Sequence, residues 1–411
     1  MITFFAGIIV LFNLIIIPVV VSHRIYKHRL RSFLNPLLFL VVGSYCYMTL
    51  GSAFLFQYSV PGWEYSYAER ALTDLLSNYY TLVFFLAYFF SRDYKNVVIS
   101  FSPSRITSRA AMCCVAVITP LFIFLIATNI SQAISCYGDR GAAHLVWSSQ
   151  YEKFRVGMFN NIYMAAVCVL VWRKNNPHLF WLFLIPAIFP LMFNGKGDPL
   201  EFIVFAYINV VVIKKNFYLK SFSLGLIALL LTGIVRLREN YGFLTIILGE
   251  FIAPRFSTDI VFYEMQGEGN LQDLFKATIC SMIPGQVSQT FLLQHDSYVY
   301  LISEMINIGW HIMGSPLGEA LYYGGFRFAL IAPVIVALFY ITLNRMKLYR
   351  TLPGFIFLIF MVLHLHLMMR EGFFAHLFAI VYLMFSYLLW ITLPEGLLRD
   401  WHRIRPRRVS C

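Results

Sequence analysis

The stretch from residue 311 to residue 326, HIMGSPLGEALYYGGF, combines turn-forming residues with one carboxylate that could act as a general base. Four glycines and one proline lie around Glu319, and both residue types supply turn geometry. We therefore predict a turn that leads into a membrane helix and presents Glu319 to a catalytic site. Two other roles stay open for Glu319, which are capping a backbone turn and pairing with Arg327.

A second candidate base is His295, which lies in the segment QHDSYVYLISEMINIGW at 294–310. The alternative is a polar surface histidine, with Asp296 as the N-cap of the helix that follows. Apolar residues recur at helical spacing through this segment, which predicts a helix with one apolar face.

Six basic residues lie at or near the predicted outer ends of membrane helices. They are Lys196, Arg236, Arg238, Arg255, Arg327 and Arg370. An arginine can bind a phosphate through two parallel, charge-assisted hydrogen bonds. For any one of them, snorkelling to the interface or pairing with a nearby acid is the simpler explanation. Six at one membrane face predict a site for an anionic ligand.

Several enzyme classes are disfavoured by missing motifs. The sequence contains no Walker loop, no G-x-G-x-x-G, no H-E-x-x-H and no paired C-x-x-C. We therefore expect no cofactor, no metal site and no ATP-driven activity from this chain alone. The net charge of +12 is scattered over short loops and forms no single basic patch, so nucleic acid is not an expected partner.

The elements that must position these residues are membrane helices. The chain has 411 residues, of which 59% are hydrophobic and 13% charged. A bilayer core about 30 Å thick needs roughly 20 apolar residues per helix. The apolar runs are long and continuous, which favours helices over a barrel. We predict an all-α, polytopic membrane protein with about eleven spans, at 2–21, 34–57, 71–90, 110–130, 156–172, 179–193, 199–213, 220–235, 326–344, 353–369 and 374–393.

Lysine and arginine set the predicted orientation. The loops at 23–31, 91–109, 173–178, 214–220 and 345–350, together with the carboxyl-terminal tail, hold 21 of the 32 Lys and Arg residues. These loops are predicted to be cytoplasmic, which places the amino terminus and the segment 236–325 outside. The predicted organisation is therefore amino-terminal membrane helices at 1–235, a large outer loop at 236–325, and carboxyl-terminal membrane helices with a basic tail at 326–411.

The 236–325 segment is too long to be a passive connection. Its apolar stretches, including FLTIILGEFIAP at 243–254, predict a small helical subdomain on the outer membrane surface. YEMQGEGN at 263–270 is predicted to be the tip of its loop. Arg255 follows Pro254 and is placed in this loop. Cys136 and Cys280 both fall in predicted outer loops, and the sequence leaves open whether they form a disulfide.

Four segments resemble the bacterial O-antigen polymerases, which polymerise lipid-linked oligosaccharide repeat units. SPLGEALYYGGF at 315–326 is similar to the S-P-x-G-E segment that ends their large periplasmic loop. NGKGDPLEFIVF at 194–205 resembles their G-x-R-G turn, with Lys196 where arginine is commoner. LMMREGFFAHL at 367–377 resembles their late R-G segment, with Glu371 interposed. The 294–310 segment is similar to one that these proteins share with O-antigen ligases.

The resemblance implies a metal-independent glycosyltransferase of the bacterial inner membrane, with the large loop in the periplasm. Its substrate would be an undecaprenyl-pyrophosphate-linked oligosaccharide, and a chain-length regulator and a flippase would be partners. Arg255 and Arg370 would be the first diphosphate ligands, supported by Lys196, Arg236 and Arg327, with Glu319 or His295 as base. Two alternatives remain. One is a ligase that transfers finished glycan, and the other is a flippase or other transporter of lipid-linked oligosaccharide.

Overall fold

All elements described by the computed structural model are helical. It describes residues 2–28, 34–54, 65–91, 101–136, 142–143, 146, 156–174, 179, 182, 184–193, 243–282, 298, 301–302, 305 and 314–374. The helices are α1 (Ile2–His28), α2 (Pro36–Ser44), a π-helix (Tyr45–Leu50), α3 (Gly51–Phe54), α4 (Tyr67–Phe90), α5 (Arg105–Ser135), α6 (Val156–Lys174), α7 (Leu184–Met192), α8 (Phe243–Glu264), α9 (Leu271–Met282), α10 (Pro316–Arg345), a 3-10 turn (Leu348–Arg350) and α11 (Leu352–Glu371). The all-α prediction is confirmed for these residues.

Four of the described helical segments are long and apolar enough to cross a membrane. They are Ile2–Lys27, Pro36–Phe54, Arg105–Ser135 and Pro316–Arg350. The chain is therefore a membrane protein by length and composition, whereas the eleven predicted spans are not confirmed. The predicted spans at 199–213 and 220–235 lie outside the described residues, as does all but the first residue of the predicted span at 374–393. The predicted span at 71–90 is helical, but polar residues such as Asp74 and Asn78 interrupt its apolar sequence.

Local sequence explains where the best-defined helices begin. Asn35 caps α2 by accepting a hydrogen bond from the backbone N–H of Leu37 at 3.1 Å. Ser66 and Glu69 form a reciprocal capping box at the start of α4. Such caps satisfy N–H groups that have no partner inside the helix.

The turn predicted in GSPLGE is instead the first turn of α10. Ser315 is the N-cap, and its hydroxyl accepts a hydrogen bond from Gly318 N at 2.8 Å. Pro316 occupies the first helical position, where its missing N–H costs nothing. The helix then breaks at Gly325, whose φ of 61° and ψ of −163° are open essentially only to glycine. The predicted span at 326–344 matches the half of α10 that follows this break.

The predicted outer subdomain is helical where described, but α8 does not stand apart from the apolar helices. It packs against the π-helix, α3, α4 and α10. The predicted loop tip is a turn at 265–270, and it lies on α10: Gly267 N donates to Leu321 O and Gly269 N donates to Tyr322 O, both at 3.1 Å.

The chain forms two compact units. Unit 1 contains Met1–Val97, Asn240–Lys347 and Phe360–Val381, and unit 2 contains Val98–Glu239, Leu348–Ile359 and Tyr382–Cys411. In unit 1, α4 packs against α1, α2 and α10. In unit 2, α5 packs against α6 and α7, and Phe101 meets Trp172 edge to face at 4.8 Å between ring centroids.

The two ends of unit 1 differ in what they hold. At one end, Arg24 of α1 reaches across to the last turn of α4 and donates to Ser91 O at 2.9 Å. Asn35 donates to the Ser91 hydroxyl at the same end, also at 2.9 Å. Of the residues singled out from the sequence, the described Arg255, Glu319 and Arg370 lie towards the opposite end, where α4 and α10 begin and α11 finishes.

Candidate functional site

Three sequence segments meet at Ser315, the N-cap of α10. Its backbone N–H donates to the Tyr298 hydroxyl at 2.6 Å, and that hydroxyl donates to Ser315 O at 2.7 Å. Its own hydroxyl is hydrogen-bonded to the Thr258 hydroxyl of α8 at 2.7 Å. Ser315, Tyr298 and Thr258 are all buried. The start of α10 is therefore fixed to α8 and to the 294–310 segment.

Glu319 joins α10 to the end of α11. Its side chain is fully buried, and Oε2 accepts a hydrogen bond from the backbone N–H of Phe374 at 2.7 Å. Gly372, between α11 and Phe374, has a φ of 135°. A Cβ at Gly372 would lie 2.7 Å from Cδ of Glu319, so only glycine leaves room for the carboxylate.

The observed role of Glu319 is that of a backbone cap. It serves a chain segment 55 residues away, and the 311–326 and 367–377 segments are thereby brought together. Arg327 lies beyond the Gly325 break and is exposed. Within the described part of the chain, the alternative pairing of Glu319 with Arg327 is not formed.

Arg255 was predicted to lie in a loop, and this prediction is wrong. It lies inside α8 and is 1% exposed. Its guanidinium donates to Asp74 Oδ1 through Nε at 3.0 Å and NH2 at 2.7 Å, and to Asp259 Oδ1 through NH1 at 2.6 Å. NH2 also donates to the Thr73 hydroxyl at 2.6 Å, and that hydroxyl donates to Asp259 Oδ1. We call Arg255, Asp74, Asp259 and Thr73 the ion cluster.

The ion cluster pairs one guanidinium with two carboxylates. Burial raises the pKa of Asp259, and the neighbouring Arg255 opposes that rise. Two carboxylates already hold the guanidinium, so a phosphate could bind Arg255 only by displacing one of them. The geometry therefore supports a role for Arg255 in joining α8 to α4.

Polar contacts continue from the ion cluster into the helices. Arg255 Nε also lies 3.2 Å from the Ser52 hydroxyl, which accepts from Asn78 Nδ2 at 3.4 Å. Asn78 Oδ1 accepts from Asn13 Nδ2 and from the Thr49 hydroxyl, both at 3.0 Å. Thr49 belongs to the π-helix, a rare geometry that frequently marks functional sites.

Close helix approach makes this polar chain possible. A Cβ at Gly51 would lie 2.7 Å from Phe251 O and 2.9 Å from Arg255 Cβ, so glycine lets α8 pack directly against α3. The sequence analysis missed Asp74 and Asp259 as partners of Arg255. An acid inside a predicted span, together with the i, i+4 spacing of Arg255 and Asp259, is the signal that could have found them.

Other predicted site residues are described in part or fall outside the described residues. His295, Lys196, Arg236 and Arg238 lie outside. Arg370 is in the last turn of α11, and only its backbone is described. Cys136 is a free thiol, and the side chain of Cys280 is outside the description. Among the described side chains, no group of three or more His, Cys, Asp or Glu residues is arranged to hold a metal ion.

Comparison of the chain with protein-family models, with curated proteins and with solved structures found no significant match.

Proposed function

We propose that the protein is a membrane glycosyltransferase that polymerises undecaprenyl-pyrophosphate-linked oligosaccharide repeat units at the periplasmic face of a bacterial inner membrane. The observation that carries the proposal is the convergence of three segments that resemble polymerase segments. Tyr298 binds Ser315, and Glu319 binds the backbone at Phe374. The Glu319 contact joins two of these stretches across 55 residues of chain, and separate chance resemblances would give no reason for that meeting.

The proposed reaction breaks the bond between the anomeric carbon of the growing glycan and its pyrophosphate. A hydroxyl of the incoming repeat unit attacks that carbon and loses its proton, and undecaprenyl pyrophosphate leaves with the bonding electron pair. Cationic side chains can stabilise the charge that develops on the leaving group, and loss of one such donor typically lowers the rate about a hundredfold or more.

Residue roles within this proposal combine the resemblance with the contacts of the described residues. Arg370 lies at the end of α11, beside the junction of Glu319 with Gly372, and is the first candidate ligand for the diphosphate. Exposed Arg327 is a second, and Lys196 and Arg236 remain candidates. His295 remains the candidate base. Arg255 is reassigned to holding helices together, because its partners already satisfy its charge.

A surface near the start of α4 suits a sugar. Tyr65 and Tyr263 stack with ring centroids 4.8 Å apart, and Tyr263 is exposed. Exposed Glu264 lies beside them and accepts a hydrogen bond from the Tyr65 hydroxyl at 3.4 Å. Burial and the Glu264 charge raise the pKa of Tyr65, which keeps this phenol protonated as a donor. Aromatic faces with adjacent polar groups offer sugars both apolar contact and hydrogen bonds.

The decisive experiment uses purified protein in lipid and purified lipid-linked repeat unit. A ladder of longer lipid-linked glycans is expected, and Arg370→Ala should abolish it while the protein still inserts and accumulates. Arg370→Lys should rescue poorly, because a point charge does not replace a planar, two-pronged donor. Failure of the wild-type protein to lengthen the substrate would contradict the proposal.

A transporter of lipid-linked oligosaccharide is the second candidate. The observation that favours it is the buried ion cluster with its polar chain through α3 and α4, since ionisable groups within membrane helices often mark transport paths. Gene deletion distinguishes a polymerase from a transporter. Loss of a polymerase leaves single repeat units on the cell surface, whereas loss of a flippase or a ligase leaves none.

A further inference from the structure

The carboxylate of Glu319 is buried and hydrogen-bonded to the backbone N–H of Phe374, which favours a structural role over proton transfer. We propose that Glu319 is a positioning residue that fixes the end of α11, where Arg370 lies, and that it is not the general base. The inference rests on the proposed function for its activity measurements, and one measurement below is independent of that function.

The contact itself is strong and specific. A carboxylate that accepts a hydrogen bond from a backbone N–H makes a charge-assisted bond, and the Phe374 N to Glu319 Oε2 distance is 2.7 Å. Gly372 gives the carboxylate room, because a Cβ there would lie 2.7 Å from both Cδ and Oε1 of Glu319. The φ of 135° at Gly372 turns the chain so that the Phe374 N–H faces the carboxylate.

Both sides of this contact are anchored. Glu319 lies in the first turn of α10, which Ser315 caps and which the Tyr298 and Thr258 hydroxyls hold. On the other side, Gly372 N donates to Met368 O at 3.0 Å and ends α11. The contact therefore fixes the end of α11 relative to the start of α10.

Burial argues against the alternative role. A general base must come within about 3 Å of the hydroxyl whose proton it removes. Glu319 is 0% exposed, and Oε2 is already bound to the protein backbone. An acceptor sugar could reach this oxygen only if the junction of α10 with α11 opened.

Arg370 is the group that this junction would position. It lies two residues before Gly372, in the last turn of α11. Its placement relative to a diphosphate depends on where the helix ends. A misplacement of about 1 Å can lower a reaction rate roughly a hundredfold. Glu319 is therefore expected to affect polymerisation through the position of Arg370.

Replacement of the carboxylate by an amide tests the distinction. Glu319→Gln keeps an oxygen that can accept from Phe374 N–H but cannot act as a base. We expect polymerisation within about tenfold of wild type and an unchanged pH profile for Glu319→Gln, and a loss of roughly a hundredfold for Glu319→Ala. The inference is overturned if Glu319→Gln is as inactive as Glu319→Ala, or if it loses the limb of the pH profile that a base would give.

The donor side offers a matched pair of variants. Phe374→Pro removes the N–H without changing Glu319, whereas Phe374→Ala removes the ring and keeps the N–H. Phe374→Pro is expected to lose activity as Glu319→Ala does, and Phe374→Ala to keep most of it. Equal activity of Phe374→Pro and wild type would overturn the inference.

Amide hydrogen exchange provides the measurement that does not need polymerase activity. The amide of residue 374 should exchange faster in the full-length Glu319→Ala protein than in wild type, and Glu319→Gln should stay protected. If exchange does not change in Glu319→Ala, the inference fails whatever the function. If the exchange result is as expected and the wild-type protein makes no polymer, the proposed function fails instead.

Discussion

Replacement of Arg255 by methionine is expected to destabilise unit 1 strongly. Methionine keeps much of the side-chain length and removes the charge. It leaves Asp74 and Asp259, which are 7% and 0% exposed, as two buried carboxylates without their cation. Removal of one partner from a buried ion pair typically costs about 3–5 kcal/mol, because the remaining charge is neither hydrated nor paired.

The geometry of the ion cluster predicts a loss of stability in this range for Arg255→Met. Its guanidinium lies 2.7 Å from Asp74 and 2.6 Å from Asp259, and the Arg255 side chain is 0% exposed. A loss of 3–5 kcal/mol raises the ratio of unfolded to folded protein roughly 10²- to 5 × 10³-fold. The triple variant Arg255→Met, Asp74→Asn, Asp259→Asn removes all three charges. It should recover most of the loss, because no unpaired charge remains.

The assay is reversible unfolding of the purified protein in mixed detergent micelles, followed by circular dichroism against denaturant fraction. The double variant Asp74→Asn, Asp259→Asn completes a cycle with wild type, Arg255→Met and the triple variant, and this cycle isolates the coupling of Arg255 with the two carboxylates. A loss below about 1 kcal/mol for Arg255→Met, the value of an exposed pair, would refute the reasoning. So would a triple variant as unstable as Arg255→Met.

Three further predictions concern topology, backbone geometry and pH. A cysteine placed at Gln266 should be labelled from the outer side of the membrane and one at Lys347 should not, as the distribution of basic loops indicates. Gly325→Ala should destabilise the protein by about 1–3 kcal/mol in the micelle assay, because alanine is strained at this φ and ψ. Hydrogen bonds from the Ser66 hydroxyl and backbone N–H lower the pKa of Glu69. The capping box should therefore stabilise the start of α4 at pH values above the ordinary glutamate pKa, and this stabilisation should be lost as the pH falls through the lowered pKa. The loss should be measurable as faster amide exchange in the first turn of α4.

Each of these predictions has a contradicting result. The opposite labelling pattern would reverse the orientation and move the junction of α10 with α11 to the cytoplasmic face. Gly7→Ala is the control for Gly325→Ala, since nothing lies within 4 Å of a Cβ at Gly7, and equal stability of the two would contradict the strain argument. Amide exchange at the start of α4 that is the same in Ser66→Ala and wild type across this pH range would exclude a contribution from the capping box.

The sequence alone determined the properties that depend on neighbouring residues. Long apolar runs predicted an all-α chain, and the elements that the structure describes are all helical, although only four of the described segments are long and apolar enough to be membrane spans. The glycine-rich stretch 311–326 was predicted to turn, and α10 breaks at Gly325 within that stretch. The local prediction failed in GSPLGE, because Ser-Pro can begin a helix as readily as it can form a turn.

The tertiary structure decided which side chains meet. Arg255 and Asp74 are 181 residues apart, and Glu319 and Phe374 are 55 apart, so neither contact leaves a spacing to be read in the sequence. Both depend on how closely the helices approach, which the missing side chains of Gly51 and Gly372 permit. An arginine looks the same in sequence whether it binds a ligand or two aspartates. Only the packing of α8 against α4 distinguishes the two, because it decides whether carboxylates occupy the guanidinium before any substrate arrives.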